Sequence, residues 1–274
     1  TMNRWRPMDA ARGPSPAASA RHKTNERDAM TPSEPIVELD MISKRFGGLV
    51  VLKDISMSIG QQEIVGLIGP NGAGKSTLFN VITALYTPEQ GEVRFRGRRI
   101  TGIPAHRICR LGIARTFQLV RTFHSLTARE NVMVGAVYGR AERGGNVDAI
   151  VDEALAMVGL TGQQHTVTEH MTLSARRLLE IARALACGPQ LLLLDEPMAG
   201  LNETEIEHMV EVIQHARRDR GLSILWVEHK VDAIMKICDR VVVIDHGEKI
   251  SDGTPAETVA NPKVIEAYLG EPVA

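Results

Sequence analysis

Residues 69–76 read Gly69-Pro70-Asn71-Gly72-Ala73-Gly74-Lys75-Ser76, a complete G-x-x-x-x-G-K-[ST] phosphate-binding loop. The residues on either side supply the context this motif requires. Ile64 to Ile68 is a short apolar run of buried-strand type, and from Ser76 onward Leu78, Val81, Ile82 and Leu85 fall along one helix face. The spacing has a chemical reason: glycines let successive backbone N–H groups turn inward around phosphate oxygens, and a helix N-terminus adds partial positive charge. Lys75 is expected to reach the β- and γ-phosphates and Ser76 to ligate Mg²⁺. Asn71, Gly72, Ala73, Gly74 and Thr77 complete the cradle. The bland alternative, a glycine-rich turn with a surface lysine, does not explain the strand before it or the helix after it.

A second element is Leu191-Leu192-Leu193-Leu194-Asp195-Glu196, an apolar strand delivering two carboxylates at its C-terminal end, where ligands of parallel sheets collect. Asp195 is placed to hold Mg²⁺ directly or through water, and Glu196 to polarise water attacking a γ-phosphate. Without the phosphate loop, this would read as a solvated acidic strand end. A third apolar run, Ile224 to Val227, leads into Glu228 and His229. His229 could contact the γ-phosphate; by itself it is one histidine of nine. Gln118, in Arg115-Thr116-Phe117-Gln118, could ligate Mg²⁺ or the attacking water.

Composition limits the remaining classes. The chain has 274 residues, 43% of them hydrophobic, enough for one sizeable core or two small ones. A net charge of -1 argues against general nucleic-acid binding. Cys109, Cys187 and Cys238 are odd in number, widely spaced and outside any metal-ligand pattern, which fits a reduced cytosolic compartment. The longest apolar runs fall far short of a membrane span, so membrane association is expected through a partner.

Residues 1–35 are rich in proline and alanine with interspersed charge and lack apolar periodicity; they are expected to form a disordered tail. Ile36 to Leu39, Leu52 to Ile59 and Glu92 to Ile100 read as antiparallel strands flanking the loop. Thr127-Ala128-Arg129-Glu130 is a capping box, and Ile150, Val151, Ala154, Leu155 and Val158 form a helical stripe closed by Gly159. Residues from about 121 to 171 therefore read as a helical insertion. Helix and strand then alternate over Arg176 to Cys187, Leu191 to Leu194, Glu203 to Arg220, Leu222 to Val227 and Arg240 to Ile244, which implies a parallel sheet covered by helices.

With these motifs in this order, the chain resembles the ATP-binding cassette (ABC) transporter family over residues 36–272, read as a single nucleotide-binding domain. The resemblance rests on the phosphate loop, Gln118, Asp195-Glu196, Ala199-Gly200-Leu201-Asn202 and His229. It implies an α/β P-loop NTPase (RecA-like) core with an antiparallel β subdomain and a helical subdomain. It also implies catalytic roles for Glu196, His229 and Gln118, and a metal set of Ser76, Gln118 and Asp195. Phe46 takes the place of the family's adenine-stacking aromatic; a core role is the alternative. The finer resemblance is to ATPase subunits of branched-chain amino-acid importers, through Arg45-Phe46-Gly47-Gly48, Gly112 to Gln118, Ala199 to Asn202 and Ala267-Tyr268-Leu269-Gly270-Glu271.

One segment departs from the family. Where L-S-x-G-Q is expected, the chain reads Leu173-Ser174-Ala175-Arg176-Arg177, without the glycine and glutamine and two residues shorter on the way to Asp195. Ser174 remains as a phosphate donor, while Ala175 adds a Cβ where the family needs bare backbone. The resemblance implies ATP and Mg²⁺, a second cassette as homo- or heterodimer, membrane permease subunits and, indirectly, a solute-binding protein, at the cytoplasmic face of the plasma membrane. Two other readings stay open: a nucleotide-binding subunit with little or no hydrolysis, and a soluble cassette acting outside transport.

Overall fold

The computed structural model describes residues 34–141 and 145–269. The expected tail at 1–35 lies almost wholly outside the described residues, as does Gly270-Glu271.

The described residues open with two long antiparallel strands, β1 (Val37–Phe46) and β2 (Leu49–Ile59), then β3 (Ile64–Ile68), the phosphate loop and α1 (Lys75–Ile82). The expected single strand from Glu92 to Ile100 is instead a hairpin of β4 (Gln90–Phe95) and β5 (Arg98–Arg99). Arg96 and Gly97 turn the chain with φ of 50° and 70°, the left-handed pair that a tight two-residue hairpin needs. Next come α2 (Ala105–Leu111) and a short strand that periodicity alone did not reveal, β6 (Ile113–Arg115).

Beyond β6 the chain leaves the sheet for α3 (Ala128–Tyr138), α4 (Val147–Met157) and two 3₁₀ turns at Thr161–Gln163 and Thr168–His170. The expected capping box at Thr127 and Glu130 starts α3, with both reciprocal hydrogen bonds present. The return runs through α5 (Leu173–Ala186), β7 (Leu191–Asp195), α6 (Glu203–Arg220), β8 (Ser223–Val227), α7 (Val231–Ile237), β9 (Arg240–Asp245), β10 (Glu248–Gly253), α8 (Pro255–Ala260) and α9 (Pro262–Leu269).

Two sheets result, a four-stranded antiparallel one in the order β2-β1-β4-β5 and a six-stranded one in the order β10-β9-β3-β8-β7-β6. Within the second, β9, β3, β8, β7 and β6 run parallel and β10 is antiparallel at the edge. Its central strands are buried on both faces, which is why they read as unbroken apolar runs rather than alternations. Side chains point alternately to opposite faces. Ile64, Leu192, Leu194, Ile224, Trp226, Val241 and Val243 pack into one core with α3 to α6. Val65, Leu67, Leu191, Leu193, Leu225, Val227 and Val242 pack into a second with α1 and the antiparallel sheet. The parallel strands all end at one edge, and the phosphate loop, Glu196 and His229 follow directly from three of them.

Candidate functional site

The phosphate loop is forced into shape by its neighbours. Gly69 has φ 152°, and a Cβ there would lie 2.0 Å from the Ile244 carbonyl oxygen. Gly74, at φ 108°, would place a Cβ 2.7 Å from Leu52 Cδ2 and 2.9 Å from the Val51 oxygen. Neither position accepts a side chain. Lys75 opens α1 and is buried, its Nζ donating to the carbonyls of Gly69 at 2.6 Å and Pro70 at 2.9 Å. Burial pushes its pKa below the ordinary value, against the opposing pull of Glu196 and Asp195.

Three neighbouring parallel strands bring the remaining groups together. Gln118 follows β6, Glu196 follows β7 and His229 follows β8. Gln118 Nε2 donates to Glu196 Oε2 at 2.9 Å, and His229 Nε2 donates to Glu196 Oε1 at 2.9 Å. The carboxylate is thus spanned from both sides. Glu196 has φ 49°, a left-handed conformation costing of order 1 kcal/mol or more for a residue with a Cβ. Its amide donates to the Val227 carbonyl and its own carbonyl accepts from Ala199, so the surrounding backbone holds that strain. A cavity of about 320 Å³ is lined by Asn71 to Thr77 together with Gln118, Glu196 and His229. Val51, absent from the sequence-based site list, also lines it.

Asp195 sits one residue back and differs from Glu196. Its Oδ2 accepts from Arg115 Nη2 at 2.7 Å, with both side chains nearly inaccessible. Its Oδ1 is buried without a partner. Ser76, Gln118 and Asp195 line one adjoining cavity of about 440 Å³. A carboxylate with one oxygen unpartnered, lining the same cavity as a hydroxyl and a side-chain amide, suits a hard cation that keeps most of its water and phosphate ligands, as Mg²⁺ does. No cluster of three or more His, Cys, Asp or Glu able to hold a metal occurs among the described residues.

Glu228 is a further buried carboxylate that the sequence did not single out. It accepts from the amides of Met198 at 2.8 Å and His229 at 3.1 Å, joining the segment after Glu196 to the one carrying the histidine. Burial raises its pKa.

Phe46 lies at the exposed end of β1 and does not line the loop cavity. Its ring meets Tyr86 edge-on at 5.1 Å, and Lys44 Nζ stands 5.2 Å from its centroid. The altered segment opens α5, capped by Thr172, whose hydroxyl accepts from the Ala175 amide. Ser174 is half-buried in the first turn and Ala175 is buried. Both arginines turn back onto their own chain: Arg176 Nε donates to the Met171 carbonyl, and Arg177 Nη1 donates to the carbonyls of Phe117 and Gln118. Glu180 adds a bond from the Arg121 amide at 2.7 Å, so α5 holds the Gln118 segment at two points.

Sheet order, glycine-forced loop and carboxylate-bearing strand ends define a P-loop nucleotide-binding protein. Residues 52–199 match the ABC transporter family model, and residues 248–274 match that of the branched-chain amino acid ATP-binding cassette transporter. The chain belongs to the ABC transporter family, as an ATP-binding cassette of its branched-chain amino-acid branch. Its relatives include the high-affinity branched-chain amino acid transport ATP-binding protein LivG of Salmonella typhimurium, 38% identical over 253 residues, covering 87% of this chain and 99% of the relative. BraF of Pseudomonas aeruginosa, described in the same words, is 38% identical over 257 residues, with the same coverage of both. Among solved structures, the ADP conformation of an ATP-binding cassette of an ABC transporter superposes with a TM-score of 0.78 at 27% identity, covering 87% of this chain and all of that one. No helix among the described residues is long and apolar enough to cross a membrane.

Proposed function

We propose that this chain is the ATP-hydrolysing subunit of an importer for branched-chain or related amino acids. Residues 36–272 act as one nucleotide-binding cassette at the cytoplasmic face of the membrane, paired with a second cassette and coupled to permease subunits. The observation that carries hydrolysis is the alignment of Gln118, Glu196 and His229 along one wall of the phosphate-loop cavity. The relatives' names and the C-terminal family match support the transported class.

In this reading the loop amides and Lys75 grip the β- and γ-phosphates, the ammonium exchanging its carbonyl partners for phosphate oxygens. Ser76, Asp195 and Gln118 would hold Mg²⁺, which when bound would supply positive charge against those oxygens. Glu196 accepts one bond on each oxygen in the structure, and it gains room to take a proton from water when Gln118 or His229 turns away from it. The bound nucleotide thereby gates its own hydrolysis: the partners that release the carboxylate are those expected to contact metal and γ-phosphate. Each nucleotide is sandwiched between cassettes, so its contacts favour association only in the closed state. A groove of about 460 Å³ between α2, α3 and α5, reaching Phe117 and Arg121 beside Gln118, receives a cytosolic helix of the permease.

A second reading, nucleotide binding with little hydrolysis, draws on the start of α5. With Ala175 buried and Arg176 and Arg177 bonded within the chain, only Ser174 is left to face a partner's γ-phosphate. Phosphate release measured for the purified chain alone and with its permease subunits separates the two. Turnover stimulated by the permease supports the first reading; bound ATP without release in either condition supports the second.

A further inference from the structure

Cys109 on α2 and Cys187, the residue that ends α5, both line the groove between α2, α3 and α5. Both are free and half-buried. They converge on Gly139, which ends α3. Cys109 Sγ lies 3.7 Å from the Gly139 carbonyl oxygen, and a Cβ on Gly139 would sit 2.3 Å from Cys187 Sγ. The missing side chain of Gly139 is what leaves room for the second sulfur. The Cys187 thiol donates to the Arg183 carbonyl at 3.4 Å, so both sulfurs stand against the backbone where α3 and α5 end.

We propose that Cys109 and Cys187 form a dithiol site that reacts with low-molecular-weight disulfides and closes into an intramolecular disulfide along the groove. The roles of the two sulfurs differ. The neighbouring Cys187 thiol and, to a smaller degree, Arg110 favour the Cys109 thiolate and outweigh burial to bring its pKa to about 7. The same proximity, together with burial, raises that of Cys187. Cys109 is therefore the attacking thiolate and Cys187 the resolving thiol.

The Cys109 thiolate attacks one sulfur of the small disulfide, breaking its S–S bond and releasing one thiolate. Cys187 then loses its proton and attacks the Cys109 sulfur of the mixed disulfide, and the second small thiolate leaves and takes up a proton. One small disulfide is reduced to two thiols while two protein thiols become one disulfide, with no other oxidant required. Closure ties α2 to the end of α5. Cys238 takes no part: it is buried outside the groove, and burial pushes its thiol to about 12.

The test uses the purified full chain and glutathione disulfide, with thiols counted in denaturant and cross-linked peptides mapped by mass. The expected result is a fall from three free thiols to one, a linked pair of peptides bearing Cys109 and Cys187, and reversal by dithiothreitol. Cys187→Ser should instead hold a stable glutathione adduct on Cys109, Cys109→Ser should give no cross-link, and Cys238→Ser should cross-link normally. Three thiols retained, a glutathione adduct that persists on the unmodified chain, or a cross-link through Cys238 would overturn the proposal. Because the readout is covalent, it stands or falls apart from the ATPase reading.

Discussion

Arg115 Nη2 lies 2.7 Å from Asp195 Oδ2, with both side chains less than a tenth exposed. The same guanidinium donates to Asn80 Oδ1 on α1 at 2.6 Å and stands over the rings of Phe79 and Phe117. Arg115 thus fixes one oxygen of Asp195 and leaves the other without a partner, in a residue that lines a cavity with Ser76. Removing one member of a buried pair strands the other charge, so Arg115→Ala should cost about 3 to 5 kcal/mol. Urea unfolding measures it, and a loss below about 1 kcal/mol would mean that Asp195 is served by water instead.

Glu196→Gln keeps the shape of the side chain while removing the base. It should retain ATP binding and lower turnover by about 10² to 10⁴. Lys75→Ala should weaken binding itself. Wild-type turnover in the Gln variant would move the base elsewhere.

Phe46→Ala tests the adenine contact. Stacking of a base on an aromatic ring is worth roughly 1 to 3 kcal/mol, so the ATP dissociation constant should rise about fivefold or more while Phe46→Tyr is tolerated. Tyr86 packs against Phe46, and an unchanged constant in the folded Ala variant would direct attention to Tyr86 or Val51.

Glu180 is buried, with Oε2 unpartnered and burial raising its pKa above 4.5 despite Arg183, Arg177 and Arg121 nearby. Between 4.5 and that raised value the folded chain binds more protons than the unfolded one, so its stability falls as pH rises through the window. Glu180→Gln removes this dependence. Thermal melts from pH 4.5 to 8 should show the variant gaining on the parent as pH rises; parallel curves would mean that the arginines keep Glu180 ionised throughout.

If, as proposed, the chain works in a cassette dimer in which the start of α5 of one chain meets the nucleotide held by the other, a homodimer carries the alteration twice. Weak ATPase activity is expected for the isolated chain and higher activity with a partner cassette that retains the glycine and glutamine. Restoring those residues, with two inserted after Ser174, should raise homodimer turnover. High turnover by the unmodified homodimer, unaffected by the repair, would show that Ser174-Ala175-Arg176 is no handicap.

What could be read from the sequence was what is encoded by neighbours along the chain. The phosphate loop is contiguous, and its glycines, lysine and serine carry their chemistry at fixed spacing between a strand and a helix. Leu191 to Leu194 announced a strand buried on both faces, and Thr127 with Glu130 announced a helix start, because each signal is local. Even the shortened segment at Leu173 was visible as missing residues.

Only the tertiary structure decided what depends on strand order. Gln118, Glu196 and His229 meet because β6, β7 and β8 are adjacent and parallel, so groups far apart in sequence emerge side by side at one edge. The hold of Arg115 on Asp195, the turning of Arg177 onto the Gln118 carbonyl and the convergence of Cys109 and Cys187 on Gly139 arise the same way. Each is a contact between elements, carrying no periodicity or spacing for a linear reading to find, and each exists because a parallel sheet requires crossovers that bring distant segments together.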